Sequence, residues 1–157
     1  MAGVLEWLSG SIVAQALTAS PTLYIFVNAA HILSIGLLVG AIIPLDLRLL
    51  GLFRGTSLQV LGPFLSRTAM YGVVLAILTG IVLFSVRAVE YAGNPAFLTK
   101  MGLLAIAVVN AVLLHTAAPW RRTIAEGRAS ASVKLMAALS LVIWIAAVVA
   151  GRWIGFI

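Results

Sequence analysis

Two histidines and one lysine stand out in otherwise apolar stretches of this 157-residue chain: His31, His115 and Lys100. A neutral imidazole carries one lone pair, enough to ligate a metal or accept a proton, and at membrane depth the ring is costly unless something satisfies it. His31 lies within YIFVNAAHILSIGLLVGAIIPLDLRLL, Tyr24 to Leu50. At about 100° per residue, Tyr24, Asn28, His31 and Ser34 share an arc of about 120°, while Gly36 and Gly40 form a GxxxG pair on another face. One face is chemical, and the other suits close helix contact. Asn28 or Ser34 is the expected partner of His31, which is the candidate metal ligand; a buried ring bonded to Asn28 or a backbone carbonyl is the structural alternative.

Two histidines on separate helices suggest a b-type haem clamped by both. The spacing argues against one group held by the pair. His31 falls about 15 Å of helical rise after Pro21, and His115 about 30 Å after Pro95, so the rings are expected to differ in depth by about 13 to 15 Å. His31 therefore belongs to an outer-half site, and His115 to an inner-half site or to the structure alone. Lys100, in the first turns of its helix, needs something negative nearby. Glu90 is the structural answer; a haem propionate, a quinone headgroup or a lipid phosphate is the functional one, and Arg87 can join either.

Copper is the alternative metal. Met70, Met101 and Met136 are single methionines without an MxxM cluster, a pattern more typical of gap-filling. The four acids, Glu6, Asp46, Glu90 and Glu126, all read as interfacial, which leaves neither a carboxylate pair nor a proton relay across the core. The chain has no cysteine, so thiolate chemistry and disulfides are excluded.

These groups need elements to hold them. Hydrophobic residues make up 63% of the chain and charged ones 9%, and the mean hydropathy is +1.19. That composition specifies an all-α membrane protein: one domain, residues 1–157, with four transmembrane helices in a bundle and no separate soluble domain. The crossings are expected at about 22–46, 67–89, 95–118 and 133–154. Residues 1–20 are too polar to cross; Leu5, Leu8, Ile12, Val13 and Leu17 with Trp7 predict an amphipathic helix lying in the interface. Gly72, Ala76 and Gly80 recur every fourth residue as a small-residue face on the second crossing.

The formal charge of +6 reflects topology rather than nucleic-acid binding. Arg48, Arg54, Arg67, Arg121, Arg122, Arg128 and Lys134 fall on one side, and Arg87, Lys100 and Arg152 on the other. The positive-inside rule then puts both termini outside a bacterial inner membrane.

Three features together are suggestive: His31 followed by GLLVG and LDLRLLG; Thr79-Gly80; and Tyr91 with Asn94-Pro95, Phe97 and Lys100, leading to Asn110 and His115. They resemble a family of uncharacterised bacterial four-helix membrane proteins. More distantly they are similar to copper resistance protein D and to the bacterial membrane protoporphyrinogen oxidase. That distant likeness implies haem binding or copper handling, and it reaches His31 and Lys100 alone.

The expected function is a small b-type haem or redox-cofactor protein, an electron-transfer component rather than a stand-alone enzyme. His31 would be the ligand, Asn28 or Ser34 its partner, and Lys100 with Arg87 the groups facing acidic substituents. The alternatives are an accessory subunit that forms a homo-oligomer or joins a larger membrane complex through its small-residue faces, and transport of copper or a small solute.

Overall fold

The computed structural model describes residues 2–156, and no strand occurs among them. Helices α1 (Ala2–Ser9) and α2 (Ile12–Ala19) lead into α3 (Pro21–Leu50). After a short loop come α4 (Leu58–Val86), the short α5 (Ala88–Gly93) and α6 (Pro95–Thr116). Helix α7 (Ala118–Glu126) then connects to α8 (Ala131–Trp153), which closes in a 3-10 turn at Ile154–Phe156. Four of these, α3, α4, α6 and α8 with its final turn, are long and apolar enough to cross a membrane.

Local chemistry sets the starts. Ser20 Oγ accepts from the Leu23 N–H at 3.3 Å, with Pro21 at the first helical position of α3. Asn94 Oδ1 does the same for the Phe97 N–H at 3.0 Å ahead of Pro95. The first segment is two helices rather than one, because Gly10 and Ser11 interrupt it and Ser11 Oγ accepts from the Ala14 N–H at 3.2 Å to cap α2.

Two boundaries differ from the sequence expectation. α3 runs through Pro44 to Leu50, since the missing N–H costs only the bond to the Gly40 carbonyl and the neighbouring turns hold. α4 begins at Leu58, about nine residues before the expected start, with Pro63 near its beginning. The basic stretch between the third and fourth crossings has a helix of its own. This is α7, whose Trp120 and Thr123 are buried and which ends at Gly127 in a left-handed conformation, φ 70°.

α3 and α4 pack along most of their length. A Cβ at Gly72 would stand 2.7 Å from the Leu38 backbone nitrogen, so only glycine permits this approach. α8 lies between α3 and α6, whereas no Cα of α4 comes within 8 Å of one in α6. Side chains close that wider seam at its two ends, through the Phe84–Phe97 ring pair (5.3 Å) and the Ser66–His115 hydrogen bond (2.9 Å). At the end of the bundle where both termini lie, α2 buries Ala14 and Leu17 while Trp7 and Ile12 face outward.

Candidate functional site

Each of the four long helices contributes to a cluster about His31. Its Nδ1 lies 2.8 Å from Thr79 Oγ1 on α4, and Thr79 Oγ1 lies 2.7 Å from the Leu75 carbonyl. A carbonyl oxygen only accepts, so the threonine proton goes to Leu75 and the threonine lone pair faces the ring. His31 Nδ1–H must therefore donate to Thr79. The Ala76 backbone carbonyl is a second acceptor for the ring N–H, and with the proton on Nδ1 the lone pair of the neutral ring is on Nε2. An N–H held by a hydrogen bond while the other nitrogen stays open is how a histidine ligand is oriented.

The next residue makes room for the ring. A Cβ at Gly80 would stand 3.2 Å from His31 Cε1, tighter than most real contacts. Thr79-Gly80 is thus the seat of His31, one residue supplying the acceptor and the other the space.

Lys100, on α6, lies close enough to His31 to act on it electrostatically. Its stem and Nζ run against Gly151 of α8, where a Cβ would be 3.4 Å away. Glu90 does not pair with it. Glu90 instead meets Arg87 at 3.4 Å in an exposed ion pair, and Lys100 has no ion-pair partner among the described residues. One turn nearer the terminal end stand three stacked rings, Phe84, Tyr91 and Phe97, with centroids 5.3 to 6.3 Å apart.

The other expected site residues are not joined to this cluster by hydrogen bonds. Ser34 is buried, and its hydroxyl donates to the Ala30 carbonyl at 2.6 Å in its own helix. Asn28 is half-buried and makes no hydrogen bond with a described residue. His115 has both nitrogens engaged: Nδ1–H donates to the Ala111 carbonyl at 2.7 Å, and Nε2 accepts from Ser66 Oγ–H at 2.9 Å. Thr79 and Ser66, the partners of the two histidines, are thirteen residues apart on α4, about 20 Å of rise. His115 is a clamp between α6 and α4, and its ring meets Trp120 at a tilt, with centroids 4.5 Å apart.

Among the described residues no three of His, Cys, Asp and Glu come together to hold a metal ion. Met70 is exposed and Met136 packs beside the buried core. Asp46 and Arg48 are buried, although the sequence placed both at the membrane boundary. Arg48 Nε donates to the Thr56 carbonyl at 2.7 Å and fastens the loop after α3.

No curated protein and no solved structure matches the chain. A family model described as a family of unknown function (DUF6644) matches residues 4–157. The chain belongs to that family.

Proposed function

We propose that this family member binds a b-type haem in a bacterial inner membrane, with His31 as its one protein ligand, and passes electrons as part of a larger assembly. The carrying observation is the locked ring of His31: Nδ1–H given to the acceptors Thr79 and Ala76 of α4, which leaves the ring's lone pair to Nε2, and Lys100 nearby without an anion. A single imidazole suits a metal already held by a ring of four nitrogens. A bare copper ion needs several protein ligands, and no such set accompanies His31. The distant likeness to copper resistance protein D therefore weighs less here than that to the membrane oxidase.

When bound, the haem supplies one-electron redox chemistry. Thr79 holds the imidazole plane, Gly80 leaves room for it, and Lys100 receives an acidic substituent by charge. Arg87, engaged with Glu90, is a secondary contributor. By the positive-inside count, the site lies in the outer half of the bilayer, with both termini outside. The test is haem titration of the purified protein: His31→Ala abolishes binding, while His115→Ala retains it.

A second reading is favoured by Gly36 and Gly40, which have nothing within 4 Å of a built Cβ and are exposed. This pair is free for a second copy or another subunit, whereas Gly72 and Gly80 are consumed inside the bundle by Leu38 and His31. An accessory subunit predicts a defined oligomer that Gly36→Leu disperses without unfolding the monomer.

A further inference from the structure

Asp46 stands apart from the His31 site. Only 3% of its surface is reachable, and its Oδ2 has no hydrogen-bond partner. It lies between two apolar clusters, with Ile42 in one and Leu45 and Leu49 in the other. Ser140 of α8 holds the same level, between Ala137 of the second cluster and Ile143 and Trp144 of the first. So does Asn110 of α6, between Ala107 and Leu114. Three helices thus bring a carboxyl, a hydroxyl and an amide to one polar layer.

Within that layer the Ser140 hydroxyl is hydrogen-bonded to the Asp46 carboxyl, and Asn110 Nδ2 is spent on the Met136 carbonyl at 3.1 Å. Among the described residues no cation pairs with the carboxyl. The nearest cation in sequence, Arg48, turns its guanidinium to the carbonyls of Thr56 and Arg54, at 2.7 and 3.5 Å. Arg67 on α4 and Lys134 on α8 are exposed, and His115 is bound to Ser66 and Ala111. α2 contains no charged residue.

A carboxylate buried without compensation costs several kcal/mol, so a positive partner has to come from outside the chain. Metal cations of the hard type take about six or more oxygens. The layer offers the two carboxyl oxygens, Ser140 and at most the Asn110 amide oxygen. A proton needs a single oxygen, and Oδ2 is the one left open. We infer that Asp46 is a proton-binding site of this protein, in the half of the bundle away from the termini. It lies about 22 Å along α3 from His31, so the two sites are separate.

The test is labelling with dicyclohexylcarbodiimide, whose reaction requires the carboxyl O–H to add across its C=N bond. Purified protein in detergent at pH 7 is treated with the reagent, digested and mapped by mass spectrometry. The adduct is expected to map to Asp46. Asp46→Asn removes it. Infrared spectra of the untreated protein provide a check independent of any variant: a carboxylic-acid C=O band is expected at neutral pH. An unlabelled Asp46 together with an absent acid band overturns the inference. So does labelling that sodium chloride suppresses and choline chloride does not, which would assign the site to a metal ion instead.

Discussion

Replacing Thr79 by valine keeps the volume and shape of the side chain and removes one of the two acceptors that hold His31. Two losses are expected. The first is the interhelical hydrogen bond of 2.8 Å itself, worth about 0.6 to 1.7 kcal/mol between membrane helices. The second is orientation: with Nδ1–H left to Ala76 alone, the ring can turn and shift its proton, and removal of such an outer partner lowers metal-group affinity by about 10- to 100-fold. The assay is a double-mutant cycle of Thr79→Val and His31→Ala, read by thermal unfolding in detergent. In the cycle the cavity left by alanine cancels, so the coupling is the pair's own term. Coupling of about 1 kcal/mol supports the geometry. Strict additivity, with unchanged haem affinity in Thr79→Val, would refute the argument that Thr79 orients His31.

Other consequences follow from the same contacts. Gly72→Ala sets a Cβ 2.7 Å from the Leu38 backbone and is expected to destabilise by about 1 to 3 kcal/mol in thermal unfolding, while Gly36→Ala, in open space, is neutral or slightly stabilising. Lys100→Gln should weaken haem binding without moving the band positions, because it removes a charge and no ligand; a titration and a spectrum separate the two effects. Burial, aided by Tyr24 and Glu90 and opposed by Arg87, lifts the Tyr91 phenol above its usual 10.0. A raised value means that the stability Tyr91 contributes is intact below about pH 10 and lost as pH rises through the folded value. Phenolate absorbance should therefore show a late step that Tyr91→Phe removes.

Much of the bundle was legible because twenty-residue apolar runs, Ser20-Pro21 and Asn94-Pro95 are local signals. His31 and the Thr79-Gly80 pair were both visible as features. Their contact was not, since nothing local states which face of α4 meets α3, and the nearer polar neighbours Asn28 and Ser34 competed for the role. Ser34 instead bonds its own helix, as serines in apolar helices readily do. The unequal depth of the two histidines followed from rise per residue alone, and their separate partners on α4 agree with it. The burial of Asp46 was hidden for a related reason: LDLRLL reads as the end of a crossing and does not say which neighbour covers the carboxyl, as α8 does with Ser140. α7 was hidden because it is short and carries three charged residues, and Trp120, Thr123 and Ile124 tie it to the core.

The central claim is that His31, through Nε2, is the ligand that makes this a haem protein. Its most direct test is the visible spectrum, oxidised and dithionite-reduced, of protein purified in mild detergent from cells supplied with haem precursor, beside His31→Ala prepared alike. A Soret band and a reduced α-band of b type, present in the wild type and absent from His31→Ala, are predicted. A colourless wild type, or bands that persist in His31→Ala, would contradict it.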